Sequence, residues 1–582
     1  MEHNLQCGLD VMPSSASHSQ IAVGQTHIQK SQAWSRLSTK PAVIAVILLS
    51  MFLLLESRVP LGTAVQIGAD EGFEVAKATL CLHGHHLYSE VWNDQPPLHT
   101  FLVTQVLKHL TPAILGPRLV TTAFAAILLA FVFVIGYRTS GLLTGTLTTA
   151  LVIASPGFLE LSASCMLEIP ALATAIAGLA VLFVARSGRW HGSEILCGIL
   201  FGLATLMKLV PLYLLPLAVL ILWLRQRNAV VCEAPAAARG PTNRFAYPGC
   251  AAAGRNHTTA FQLSLRSLVV ALLIIGASLA ASFAFVDWLI ERGAYLVHFQ
   301  QSWSSHFGGA KSFEYGSPAE HAFDWSILLK NWDVTVPAVF GICILSTRLR
   351  KSLLAILPLA WLALSLIVFT NHKPWWSYYY IHIAIPLCWC AAVGIESVCS
   401  ALARRFVAFT RAEHKRKGVR FNRWRAAGAY APAVLFAVCA AVWMAARVYL
   451  QVASIRNSPQ LYTALVLQEI ERLKPFSHWM YTDQLVYSFH ADIPMPPPLA
   501  VVPLKRLWTG AMTNPRIAAE MSRFKPEIIL LRNDTREVSF QELLETDYRM
   551  IYQDNKLRLY ANRATIKQAD SAEVQSTVVR RP

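Results

Sequence analysis

The stretch GADEGFEVAK, residues 68 to 77, sets Asp70 and Glu71 side by side soon after an apolar run ends. Further along, Asp94 lies in VWNDQPPLHTFL, Glu168 in SCMLEIPALATA, Lys208 in LMKLVPLYLLP, His306 in QSWSSHFGG, and His372 and Lys373 in HKPWWSYYY. Carboxylates at such places can take the proton of an attacking hydroxyl or ligate a hard cation, and lysines can hold an anion. No spacing among them demands a cofactor, and a divalent metal ion shared by two carboxylates is the one candidate. A plainer reading stands beside each residue. A loop acid such as Glu71 or Asp94 is usually only solvated, Lys208 can snorkel from between two apolar runs, and His306 can be an ordinary loop histidine. The aromatic residues of HKPWWSYYY suit an interfacial belt. Glu168 is the costliest to place, because a carboxylate at the edge of an apolar run needs a wet cavity or a partner.

The elements that must position these residues are membrane helices. Of 582 residues, 54% are hydrophobic and only 15% charged, and the mean hydropathy is +0.41, which excludes an ordinary soluble domain for most of the chain. Apolar runs at 41–56, 119–136, 141–156, 169–185, 195–207, 209–224, 267–286, 332–347, 352–370, 378–397 and 427–446 predict about eleven spanning helices. The first is read as a retained span, without a convincing cleavage site. The net charge of +17 comes from short basic segments between the runs, at 186–189, 225–227, 347–351 and, densest, 404–425. That is the positive-inside pattern, and it argues against a nucleic-acid partner. The eleven cysteines are scattered and outline no disulfide or zinc framework.

With a cytoplasmic N-terminus the basic segments fall inside, and the loops at 57–118, 157–168, 287–331 and 371–377 fall outside, gathering the polar residues onto one face. Residues 1–40 read as a disordered cytoplasmic terminus and 41–446 as the transmembrane domain. Within the latter, 57–118 is the first extracytoplasmic loop with an interfacial amphipathic helix, 225–266 a flexible cytoplasmic linker, and 404–425 a basic cytoplasmic loop. Composition changes at about 447. PEIILLRN predicts a buried strand, SFQELLETD a helix, and YRMIYQDNKLRLYAN two strands about a tight turn, so 447–563 reads as a small extracytoplasmic α/β domain and 564–582 as a disordered tail.

ADEGFEVAKATLCLHGHHLYSEVWNDQPPLHTFL resembles the first extracytoplasmic loop of the C-type glycosyltransferases, with an Asp-Glu pair after the first span, a Gly-x-x-x-Tyr segment and an acidic-x-Pro-Pro-Leu motif. The branch it resembles holds the bacterial relatives of protein O-mannosyltransferases and of the aminoarabinose transferase that modifies lipid A. GPRLV at 116–120, the Glu168-Ile-Pro segment, LMKLVPLYLLP and SYYYIHIAIPL are similar to later landmarks, so the resemblance covers most of 41–563. It implies an all-α polytopic membrane protein with a closing α/β domain. It also implies an enzyme of the inner membrane that moves a sugar from a polyprenyl-phosphate-linked donor to a glycan, lipid or protein acceptor on the periplasmic side, with inversion. By that resemblance Asp70 is the catalytic carboxylate with Glu71 beside it. Lys373, Lys208, Arg118 and His372 would face the donor phosphate, and Asp94, Glu168 and His306 the acceptor or a metal. One departure is that Asp94-Gln95 stands where the aminoarabinose branch has Glu-Lys.

A transporter or flippase of a lipid-linked saccharide is the alternative, since ionisable residues in a membrane domain suit it too. No internal repeat supports it. An inactive scaffold is the third reading. Neither sugar nor acceptor is legible, because cavity shape and not a motif selects them.

Overall fold

The computed structural model describes residues 39–579 apart from 64–65, 111–113, 186–190, 234–256, 302–310, 312–315, 351, 418–430, 458–463 and 536–539. The expected N-terminal tail and His306 lie outside the described residues.

The membrane part is helical. Helix α1 (Thr39–Glu56) is followed by α2 (Glu71–Leu82) and α3 (Leu98–His109) in the first long loop, then by α4 (Leu115–Ser140), α5 (Leu142–Ile153), the short α6 (Phe158–Ala163), α7 (Glu168–Val184) and α8 (Gly192–Met207). Next come α9 (Leu215–Glu233), α10 (His257–Glu291), α11 (Ala294–Val297), α12 (Ser326–Lys330), α13 (Trp332–Arg348), α14 (Ile356–Asn371), α15 (Tyr380–Lys417) and α16 (Ala431–Arg456). Among the described residues, six helical segments are long and apolar enough to cross a membrane, and three shorter apolar helices, α5, α7 and α8, accompany them. The chain is an integral membrane protein. Two expected loops are partly helical. Helix α9 runs on to Glu233 and α10 begins at His257, inside the proposed 225–266 linker, and α15 continues through 404–417 of the basic segment.

Small residues let these helices approach closely, the usual packing device where lipid offers no hydrophobic contrast. Where α13 meets α15, a Cβ on Gly341 would strike the Cys390 carbonyl and one on Gly394 the Pro337 carbonyl. One continuous core, including Phe52, Leu128, Ile176, Phe201 and Trp389, runs through the bundle.

The first long loop departs from expectation in one respect. Helix α2 forms, but it does not lie along an interface, because its polar side is buried as deeply as its apolar side. Lys77 Nζ donates to Glu74 Oε1 at 2.6 Å and to Asn93 Oδ1 at 3.1 Å. His99 Nδ1 lies 3.2 Å from Glu74 Oε2, and the Thr100 hydroxyl donates to the same oxygen at 3.3 Å. Buried polar groups must be paired in this way, and the pairing ties the loop carrying Asn93 and Asp94 to the helix. Burial alone would raise the Glu74 pKa, but Lys77 and His99 outweigh it and hold the carboxyl down at about 2.

The C-terminal unit follows α17 (Ala464–Leu473). It contains β1 (Met480–Thr482), α18 (Leu485–Ala491), α19 (Leu504–Trp508), α20 (Asn514–Phe524), β2 (Ile528–Arg532), α21 (Gln541–Asp547), β3 (Tyr548–Gln553), β4 (Leu557–Asn562) and α22 (Arg563–Val579). The sheet order is β1-β2-β4-β3, with β1 parallel to β2 and the other pairs antiparallel. Ile528, Leu530, Leu557 and Leu559 alternate into its core. The strands and helix expected at 526–562 are present. Residues 564–579 of the expected disordered tail belong to α22 instead, because Ile566 and Ala569 give it an apolar side that packs into the same core. The unit is seated on the first long loop through α18. A Cβ on Gly72 of α2 would come within 2.9 Å of Leu485 Cβ, so only glycine permits that approach.

Candidate active site

Asp70 is the residue immediately before α2, and it is half-buried. The Tyr378 hydroxyl donates to its Oδ2 at 2.9 Å. Tyr378 comes from SYYY, at the turn that opens α15, so the first long loop and a late membrane helix meet at this carboxylate. The Lys208 ammonium stands 5.2 Å from the centroid of the Tyr378 ring and 5.3 Å from that of Tyr379. It caps the end of α8 in extended conformation and pairs with Glu168 at the start of α7. Burial pushes the Asp70 pKa up, and the nearby Glu168 carboxylate adds to it, against the pull of Lys208, the Tyr378 hydrogen bond and Lys505. Glu168 and Lys208 are thus explained together. A buried carboxylate and a buried ammonium, costly apart, neutralise each other beside the catalytic candidate.

Glu71 and Arg118 turn out to be partners of each other. Arg118 Nε donates to Glu71 Oε1 at 2.7 Å and its NH2 group to Oε2 at 2.8 Å, a two-pronged pair with both side chains fully buried. The remaining Glu71 capacity is taken by the backbone amides of Ile67 and Cys165, both at 2.9 Å. Arg118 also donates to the carbonyls of Leu61 and Thr63 at 3.0 Å. The pair locks the chain entering α2 to α4 and to the turn before α7. Arg118, expected to face a phosphate, is therefore enclosed and engaged.

Lys373 is exposed and makes none of these contacts. His372 is half-buried, with its Nε2 buried and without a hydrogen-bond partner. Burial, with Lys505 and Lys208 nearby, pulls its pKa down to about 4, so at neutral pH it is an uncharged imidazole.

Asp94 faces Lys505, 3.7 Å between Oδ2 and Nζ. Lys505 belongs to α19, so the soluble unit reaches into the membrane domain's site. Its neighbour Arg506 fixes that reach by lying 5.3 Å over the Trp92 ring and donating to the carbonyls of Pro498 and Val501 at 2.8 Å. Lys505 was not singled out by sequence. Its only signal in the sequence is the basic pair Lys505-Arg506.

Among the described residues no three His, Cys, Asp or Glu side chains converge to hold a metal ion. Asp70, Asp94 and Glu168 each already face a hydroxyl or an ammonium, an arrangement unsuited to a shared divalent cation.

No family model and no curated protein matches the chain. Solved structures do. ArnT from Cupriavidus metallidurans in the apo state aligns over 90% of this chain and 98% of its own, with a TM-score of 0.55 at 15% identity. ArnT bound to undecaprenyl phosphate aligns over 89% and 98%, with a TM-score of 0.53 at 14% identity. The chain has the fold of the C-type glycosyltransferases. The apo oligosaccharyltransferase of Archaeoglobus fulgidus shares this C-type fold, covering 85% of this chain and 70% of its own with a TM-score of 0.50 at 11% identity.

Proposed function

We propose that the protein is a glycosyltransferase that moves a sugar from a polyprenyl-phosphate donor to an acceptor hydroxyl outside the cytoplasm, in the inner membrane. The observation that carries this is the single constellation of Asp70, Tyr378, the Glu168–Lys208 pair and Lys505, on a fold shared with a structure bound to undecaprenyl phosphate. Asp70 is the base. As the acceptor oxygen bonds to the anomeric carbon, the carboxylate takes the hydroxyl proton, and the bond from that carbon to the phosphate oxygen breaks with both electrons leaving on the phosphate. Attack from the side opposite the phosphate inverts the anomeric configuration. Lys208 and Lys505 supply positive charge where the phosphate charge grows, and the neutral His372 can donate a hydrogen bond to it. Lys505 meets the need raised by Gln95, since a cation arrives at Asp94 from the C-terminal unit. The Glu71–Arg118 pair serves as a brace that holds Asp70 at the mouth of the site.

The test is mass spectrometry of envelope glycolipids, glycans and glycoproteins from cells with and without the gene. Loss of a sugar mass, restored by the wild-type gene, supports a transferase. Unchanged glycans, with lipid-linked precursor accumulating on the cytoplasmic face, would point to a flippase.

A further inference from the structure

A cavity of about 220 Å³ opens on the far side of Tyr378 from Asp70, which does not itself line it, and is walled by Ala69, Gly157, Glu160, Met166, Ser377 and Tyr378 among others. Tyr378 is thus a shared partition, forming part of this wall while its hydroxyl donates to Asp70. Lys208 stands over the same ring but does not line the cavity, and neither do Lys505 and His372. Among the described residues Glu160 is the one ionisable carboxylate on the wall, and no lysine, arginine or histidine accompanies it.

We infer that this cavity is the acceptor site and that it takes a neutral saccharide hydroxyl, read by Glu160, in preference to a phosphate-bearing acceptor. The inference rests on the transferase reading and names its acceptor class. The charges divide across Tyr378. Ammonium groups lie where an anionic donor phosphate belongs, and a carboxylate lies where the acceptor enters. A phosphate in the cavity would face Glu160 with no cation on the wall to offset it. A sugar hydroxyl can donate to Glu160 and be met by the Ser377 hydroxyl. Among the described residues, both side chains lack a hydrogen-bond partner and Glu160 is exposed to the cavity. Tyr378, Met166 and the neighbouring apolar side chains offer the flat apolar contact that the C–H face of a sugar ring requires. Burial and the nearby Glu71 carboxylate raise the Glu160 pKa, which suits a carboxyl exchanging hydrogen bonds with neutral hydroxyls.

The experiment is saturation-transfer NMR on the full-length protein in nanodiscs, with methyl α-D-glucopyranoside as the neutral probe and α-D-glucose 1-phosphate as the anionic one. The wild type should show transfer to the neutral glycoside and little to the phosphate. Glu160→Gln should weaken the glycoside about tenfold, the scale of one lost charged hydrogen bond, and Glu160→Lys should reverse the preference. Equal binding of both probes by the wild type, or an unchanged preference in Glu160→Lys, overturns the assignment. Consumption of polyprenyl-phosphate sugar is followed on the same samples. If the donor is consumed while the probes do not discriminate, only the acceptor assignment falls. If no donor is consumed at all, the transferase reading falls and takes the acceptor assignment with it.

Discussion

Tyr378 and Asp70 stand 308 positions apart in sequence and 2.9 Å apart in the fold, the tyrosine hydroxyl donating to the carboxylate. This bond favours the ionised form of an acid whose pKa burial and Glu168 push up. Tyr378→Phe should therefore shift the acidic limb of the pH profile for transfer to higher pH, while the plateau rate at high pH falls by no more than about tenfold. The dependence of kcat/KM on pH in the two proteins checks this. Since Asp70 must be ionised to act and its pKa lies above the ordinary carboxylate value, activity should already decline at a pH where an exposed aspartate is still charged.

Lys208 and Glu168 form a buried pair, 7% and 0% exposed at their side chains. Lys208→Met leaves a carboxylate without its cation and should cost about 3–5 kcal/mol of stability and on the order of 10²–10³-fold in transfer rate. Lys208→Met combined with Glu168→Leu should regain much of the stability but not the rate. Thermal melts beside initial rates separate the two effects.

Lys505→Met tests the reach of the C-terminal unit. Its expected effect is a rise of about tenfold in the KM for the polyprenyl-phosphate sugar, close to 1.4 kcal/mol of lost interaction, with the melting temperature nearly unchanged because Arg506 still anchors α19. Unchanged donor KM would remove Lys505 from the site.

Glu71→Gln and Arg118→Met should behave differently from changes at Asp70. Each leaves the other partner charged and enclosed, so loss of folded protein is expected, by about 3–5 kcal/mol. The fraction of protein that remains monodisperse in detergent on warming reads this directly.

Acid should loosen the first long loop. The Glu74 pKa is held at about 2 in the folded protein against 4.5 for the free side chain. Its contribution to stability is present above about pH 4.5 and is lost as pH falls from there toward 2. The wild type should lose melting temperature across that range, and Glu74→Gln should begin lower at neutral pH and change less with acid.

Much of the fold was legible because apolar runs and basic connections carry strong physical constraints, and because the buried run at 528–531 and the alternating strand at 557–562 mark a sheet. The pairing of residues was harder to read. Glu168 and Lys208 each stood out as ionisable groups beside apolar runs, yet their salt bridge spans 40 positions and is made by the packing of α7 on α8. Glu71 and Arg118 looked like chemistry because sequence shows a charge without its counter-charge, 47 positions away. Lys505 was invisible for the opposite reason. A basic pair in a short helix is ordinary, and only the docking of α19 over Trp92 brings it to Asp94. The amphipathic helix was legible, but the burial of its polar side depends on Asn93 and His99, which local periodicity does not register.

The most direct measurement is single-turnover transfer by the purified full-length protein in nanodiscs, supplied with a radiolabelled polyprenyl-phosphate sugar and envelope acceptor, comparing wild type with Asp70→Asn. The expected result is release of free polyprenyl phosphate and labelled acceptor by the wild type, with Asp70→Asn folded, still binding the donor, and slowed on the order of 10²–10⁴-fold. Transfer by Asp70→Asn at the wild-type rate would contradict the assignment of Asp70 as the base.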